Sequence, residues 1–170
     1  REAVAYKSYE FNAHGVEHNQ RYASTAVVPD GTPMPAYTRD AELYAHPTSW
    51  PGAKLPHTWV TQQGRKVSTL DLGGRGAFTV YTGIGGDVWH AAARQVGAAL
   101  GIEVRVVSIG HGQPFEDPYG TWAGLRGTGD SGAVLARPDL YVGFRAASAP
   151  ASESEAVAAL ESALCGILSR

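Results

Sequence analysis

The chain has 170 residues, 44% of them hydrophobic and 18% charged, which is enough apolar material for one ordinary core with an appended arm. Fourteen Lys and Arg oppose sixteen Asp and Glu, giving a net charge of -2 with no basic block. That balance excludes nucleic acid and anionic membrane as partners, and no apolar run reaches bilayer-spanning length. A single cysteine, Cys165, rules out an internal disulfide and a Cys-x-x-Cys site and fits a cytoplasmic location; the start at Arg1, without Met and inside a helical pattern, reads as a piece of a longer chain.

Val4, Tyr6, Tyr9 and Phe11 fall at loose helical spacing over residues 2–13, and Gly15 stands where a helix C-terminus favours glycine. Five prolines between Pro29 and Pro51 then predict an extended arm up to about residue 50, with one β-prone run, Ala26 to Val28, ahead of a Pro-Asp-Gly turn. From Pro56 onward regular elements return. HTWV and KVSTLDL predict short strands around a QQGR turn, and AFTVYTG predicts a buried strand, because its β-branched and aromatic residues end in a glycine cluster. DVWHAAARQVGAALG predicts a helix with Asp87 as N-cap, Val88, Ala92, Val96 and Leu100 facing inward, and Gly101 as C-cap. IEVRVVSIG predicts a strand with Ile102, Val104, Val106 and Val107 mostly inward. Asp117-Pro118 is a helix start signal before YGTWAGLRG, since Asp accepts from free amides of the first turn and Pro needs no donor there. Ala133 to Ala136 and Leu140 to Phe144, joined by Arg137-Pro138-Asp139, predict a hairpin. The chain closes on a helix capped by Ser152 or Ser154, with an acidic first turn and Val157, Leu160, Leu164, Ile167 and Leu168 on its apolar face.

Strand, helix, strand, short helix, hairpin, helix is the succession of the thioredoxin fold: a crossover helix covers one face of a sheet that the hairpin completes. The organisation expected is a terminal helix and Pro-rich arm over residues 1–50 and a thioredoxin-like α/β domain over 51–170.

The places where chemistry could reside are few. A redox-active member of that fold carries its nucleophilic thiol at the N-terminus of the first helix, where free amides and the dipole favour thiolate. Here that position reads TGIGGDVWHA, with Gly83, Gly85, Gly86 and Asp87 and no sulfur. Gly132, not proline, precedes the first hairpin strand. Cys165 sits between apolar neighbours on the last helix and reads as a small buried hydrophobe; a thiol enzyme working through Cys165 alone is the enzymatic alternative. The glycine turn at 83–86 is a second alternative, as an anion pocket, but neither G-x-G-x-x-G with its acidic partner nor a P-loop lysine is present, and Asp87 reads as capping those amides itself. HGVEH, His14 to His18, matches a zinc-peptidase pattern, yet Gly15 lies inside it and no acidic third ligand sits on a recognisable second helix. His46, His57, His90 and His111 are scattered, no G-x-S-x-G elbow occurs, and Asp117 beside Glu116 is better employed as a cap than as half of a catalytic pair. Trp50, Trp59, Trp89 and Trp122 fall at element starts and read as buried anchors.

The strings RYASTAVVPDG, PGAKLPHTWV, STLDLGGRGAFTVYTGIGGDVW, YGTWAGLR and GDSGAVLARPDLYVGFR, in this order, resemble the C-terminal portion of FAD-dependent aromatic monooxygenases of the phenol and 2,4-dichlorophenol hydroxylase type. The similarity runs from about Gly15 to Arg145 and departs from the family at Lys54, where Arg is expected, and at Gly143-Phe144, where Ala-Trp is expected. The resemblance implies a thioredoxin-like domain without redox cysteines, serving architecture and subunit association. It also implies an N-terminal catalytic region in the same parent chain that binds FAD, uses NAD(P)H and hydroxylates phenols such as chlorophenols. On that reading the arm lies on the N-terminal region, a homodimer is an expected partner arrangement, and this chain carries no catalytic, cofactor-binding or metal-binding residue of its own.

Overall fold

The computed structural model describes residues 1–170. The chain opens with α1 (Glu2–Asn12) and α2 (His14–His18), followed by an irregular stretch and the hairpin β1 (Trp59–Gln62) and β2 (Arg65–Ser68). A 3₁₀ turn at Thr69–Leu72 leads to β3 (Phe78–Thr82), α3 (Asp87–Leu100) and β4 (Val104–Ser108). Then come α4 (Thr121–Leu125), β5 (Ala133–Ala136), β6 (Val142–Ala146) and α5 (Glu153–Leu168).

The main sheet has four strands in the order β4-β3-β5-β6, with β3 and β4 parallel and the β5–β6 hairpin antiparallel to β3. The parallel pair requires a crossover, and α3 supplies it. All five residues of β3 are buried, so its alternation is hidden from the sequence but survives in space. Phe78 and Val80 join Trp89, Val96, Leu135, Leu160 and Leu164 under α3 and α5. Tyr81, on the opposite face, joins Leu55, Val60, Ile109, Trp122, Val134 and Val142 under α4 and the β1–β2 hairpin. The result is a mixed sheet with an apolar layer on each side, each layer anchored by one buried tryptophan whose large ring contributes most where it is fully desolvated.

The free edge of β6 is covered by the segment just before β1. Gly52 donates to Val142 O at 2.8 Å, Val142 donates to Ala53 O at 2.9 Å, and Leu55 donates to Leu140 O at 2.7 Å. Tyr22 in turn donates to Gly52 O at 2.9 Å, so a further stretch of the N-terminal segment pairs outside that one. A bulge after Leu135, where Leu135 faces Phe144 and Ala136 faces Val142, leaves Gly143 unpaired, and its carbonyl accepts from Val28 at 2.7 Å. Strand edges left open invite pairing with other chains; here the irregular segment closes this one.

Most sequence boundaries hold to within a residue or two, and the departures have local causes. Gly15 does not end a helix: it lies inside α2, buried against the Ala41 carbonyl, and its amide donates to Glu42 O at 2.8 Å. Ala26 to Val28 form no strand; Val28 donates to Gly143 O, Ala26 O accepts from Arg137 Nη1 at 3.1 Å, and the Ala26 and Val28 side chains pack against the first apolar layer. The run read as one strand to Leu72 breaks after Ser68, whose hydroxyl accepts from Leu70 N and starts the 3₁₀ turn. Asp87 is the first helical residue of α3, with Gly86 as N-cap and no side-chain cap bond, whereas Gly101 takes the expected left-handed C-cap at φ 66°. The helix heralded by Asp117-Pro118 begins only at Thr121, after Gly120 at φ 66°; Asp117 still serves it, accepting from Ala123 N at 2.9 Å. The second hairpin strand starts at Val142, because Leu140 is consumed by the turn at φ 65°. Ser152, accepting from Glu155 N, is the cap of α5. Trp89 and Trp122 are buried as anchors, but Trp59 is 53% exposed.

Candidate functional site

The turn that would carry a thiol is filled by the protein's own atoms. Gly83 is buried at the end of β3, and a Cβ there would stand 2.6 Å from the Asp130 carbonyl and 2.9 Å from Arg126 Nη1. At Gly86 a Cβ would meet Thr82 Oγ1 at 2.0 Å. Glycine is required at both positions by close approach, while Gly85 is required by its φ of +78°. Arg126 is buried, gives its Nε to Thr128 O at 3.1 Å and pairs with the Asp130 carboxylate. Thr82 Oγ1 donates to Gly132 O at 2.7 Å, tying the turn to the entrance of β5. These contacts use the polar groups around the turn for cohesion, as buried polar groups require.

Cys165 is half-buried on α5. Arg170, just beyond it, donates to Leu100 O at 3.2 Å, so this end of α5 lies beside the C-terminal end of α3. The glycine turn is at the other end of that helix, about 20 Å away along its axis at 1.5 Å per residue. No three His, Cys, Asp or Glu side chains converge as metal ligands do. His90 Nε2 lies 2.8 Å from Ser108 Oγ, and no carboxylate bonds to that imidazole to orient it as a base. Tyr81, deep in the second layer, is pushed above the ordinary phenol range by burial and donates to Thr69 O at 2.7 Å, a structural bond.

Two features of the surface are not spent in this way. The first is the N-terminal segment. None of the residues of α1 is buried, and Val4 and Phe11 are 74% and 81% exposed. Tyr6, Val16 and Met34 are exposed along the same segment, and Tyr9, Tyr22, Tyr37 and Tyr44 are partly so, Tyr22 meeting Tyr141 edge-on and Tyr37 meeting His46. Contiguous exposed apolar area is a common feature of contact surfaces. Helix-period spacing correctly gave α1, but only the tertiary structure shows that none of its residues is buried, Tyr9 reaching the Glu42 carboxylate through its hydroxyl.

The second is a cleft of about 410 Å³ where the N-terminal segment meets the body. His18 at the end of α2 and Ala45 and Pro47 form one wall; Lys54, Leu55, Pro56, His57 and Leu70 form the other. His57 Nδ1 is 2.9 Å from Ser68 Oγ, and the His57 ring meets the Trp59 ring edge-on at 5.0 Å. The chain distance between these residues is why a reading along the sequence leaves His18 and His57 as scattered histidines.

Comparison with known proteins adds to this geometry. The family model described as "Aromatic-ring hydroxylase, C-terminal" matches residues 48–169. A 2,4-dichlorophenol 6-monooxygenase of Delftia acidovorans is 51% identical over 146 residues, which cover 86% of this chain and 25% of that protein. A 2,4-dichlorophenol 6-monooxygenase of Cupriavidus pinatubonensis is 48% identical over 172 residues, covering 100% of this chain and 28% of that one. Among solved structures, the flavin-dependent monooxygenase PieE in complex with FAD and substrate superposes at a TM-score of 0.84 with 49% identity, over 93% of this chain and 26% of PieE. The chain therefore spans about a quarter of the length of these relatives.

Proposed function

The chain belongs to the aromatic-ring hydroxylase C-terminal family, and from that premise we propose that it is the structural and docking domain of an FAD- and NAD(P)H-dependent monooxygenase that hydroxylates phenols such as chlorophenols. In this reading the reaction belongs to the preceding three-quarters of the parent chain, and the 170 residues hold that region without touching the reacting atoms. The domain is a thioredoxin-like framework: parallel β3–α3–β4, then α4 on the other face, then hairpin and α5. Its thiol position is given to Gly83, Gly85, Gly86 and Asp87.

The observation that carries the reading is the uncovered aromatic face of the N-terminal segment. A helix of this length is marginal in water unless its apolar side is packed, and α1 buries none of its residues, being tied to the chain through the Tyr9 hydroxyl, which donates to the Glu42 carboxylate. The flavin-bearing region is the partner that the family membership supplies. FAD itself is assigned to that region, since on this chain the one glycine-rich strand-to-helix turn is crowded by Thr82 Oγ1 and the Asp130 carbonyl and leaves a pyrophosphate no cradle. Location in the cytoplasm and association of two parent chains go with the same reading; no helix here is long and apolar enough to cross a membrane.

The test is direct. The purified chain is expected to be colourless and to leave NADPH unoxidised in the presence of a phenol, while binding the separately produced flavin region of its parent. Phe11→Asp with Val4→Asp should weaken that complex at least tenfold and leave the melting temperature of the chain unchanged. Stoichiometric yellow FAD on the chain alone, or a complex indifferent to both substitutions, overturns the proposal.

A further inference from the structure

We propose that the cleft between α2 and the Lys54–His57 wall is a binding site for aromatic monoanions, phenolates or aryl carboxylates, separate from the docking face on α1. Its lining has a consistent chemistry. Lys54 is the cation, and it makes no ion pair with any carboxylate of the chain. No Asp or Glu lines the cleft, so a cationic ligand has nothing to balance it, whereas an anion finds an ammonium and two imidazoles. The rest of the lining is Ala45, Pro47, Leu55, Pro56 and Leu70, with few hydrogen-bonding side chains to satisfy a sugar or a peptide. The volume, about 410 Å³, lies in the range that encloses a small ring compound.

The imidazole of His57 is preset for such a ligand. Ser68 Oγ occupies its Nδ1 and the Trp59 ring braces its edge, which leaves Nε2 as the nitrogen free to meet an incoming oxyanion. The His18 imidazole faces the same space from α2. Ligand entry would therefore bridge the N-terminal segment and the body, two parts joined on this side mainly by backbone pairing, and would stabilise their contact by mass action.

The inference does not rest on the docking role, and its test keeps the two apart. The probes are 2,4-dichlorophenolate and 3,5-dichlorobenzoate, with 2,4-dichloroanisole as the uncharged isostere, titrated into the intact 170-residue chain and followed by backbone amide NMR. Saturable shifts are expected at His18, Leu55, His57 and Leu70, with at least tenfold weaker binding of the anions to Lys54→Met and of the anisole to the unaltered chain. A preference for phenolate ties the site to the phenols on which the relatives named above act, and a preference for benzoate ties it to aryl acids. Either supports the proposal. Lys54 pairs with Tyr141 through its backbone, so Lys54→Met keeps that bridge; His18→Leu gives a second variant on the opposite wall, with the same loss expected. Equal binding of the anisole, shifts outside the cleft only, or affinities unmoved by both substitutions would sink it.

Discussion

The body from residue 51 onward and the first fifty residues are packed differently. In the body, both faces of a four-stranded sheet are sealed by apolar layers, and the largest rings, Trp89 and Trp122, are fully buried. The N-terminal segment leaves most of its aromatic side chains in solvent and is attached at few points: Tyr22 to Gly52 and Val28 to Gly143 through the backbone, Asp30 to Arg145, and Ala26 and Val28 packed on the edge of the first apolar layer. Burial of area is non-directional and sums over the whole body, whereas main-chain bonds along an edge are local and individually modest. The first fifty residues are thus held in place along one sheet edge while most of their aromatic rings stay exposed.

The largest expected effect tests whether the body alone supplies the stability. Trp89→Ala removes a fully buried ring whose Nε1 also donates to Ser131 O at 2.9 Å, and should cost about 3–5 kcal/mol in urea unfolding. Phe11→Ala, on the exposed side of α1, should change the same measurement by less than about 0.5 kcal/mol. A comparable loss at Phe11 would mean that its ring is already packed within the chain, and the contrast would fail.

A smaller effect sharpens the seam between the two regions. Gly52 has a φ of +95°, and a Cβ there would meet the Tyr22 carbonyl at 2.1 Å, so Gly52→Ala combines backbone strain with a clash against main chain that has no rotamer to move. It should cost about 1–3 kcal/mol and speed hydrogen exchange at Tyr22 and Val28 while the amides of β3 stay protected. Gly64, at φ +77° with nothing within 4 Å, is the matched control; Gly64→Ala should show the strain alone and leave Tyr22 and Val28 protected. Identical exchange patterns in the two variants would show that Gly52 does not join the regions.

The smallest effect is electrostatic. Arg145 brings Nε and Nη2 to Asp30 Oδ2 at 2.7 and 2.6 Å, with Thr32 Oγ1 3.0 Å from Nη2. Burial raises the affinity of Asp30 for a proton, but the hydrogen bonds from Thr32 and the Arg145 guanidinium outweigh it and hold the carboxyl below its ordinary value of 3.8. A carboxyl depressed in the folded state contributes its stabilisation in full above the unfolded value and loses it as pH falls through the folded one. Acid should therefore loosen the contact of the segment with β6 only below about pH 4, seen as release of the Thr32 amide shift, and Asp30→Asn should abolish that step. Release near neutral pH, or an unchanged acid step in Asp30→Asn, would assign the contact to other groups.

Much of the body was legible because its signals are local. Asp87 to Gly101 is read as a helix from its spacing and its terminal glycine, the hairpin from two apolar runs and a Pro-Asp turn, and α5 from Ser152 and an acidic first turn. Errors fell where a neighbour distant in sequence decides the outcome: Gly15 is small to admit Ala41, not to end a helix, and Trp59 lies outside the layer that its composition suggests. The five strings that point to an aromatic hydroxylase span both regions, which is why family membership was readable although no catalytic constellation was.

By itself, then, the sequence determined the succession of elements, the glycine-rich turn after β3, and the family, since each depends on residue types and spacings along the chain. Only the tertiary structure decided which surface is left over. That α1 buries none of its side chains, that residues 52–55 close the β6 edge, and that His18, Lys54 and His57 share one cleft follow from how segments far apart in the chain meet in space. Contacts of that kind are set by the competition of whole surfaces for burial, and no local pattern of residues records its outcome.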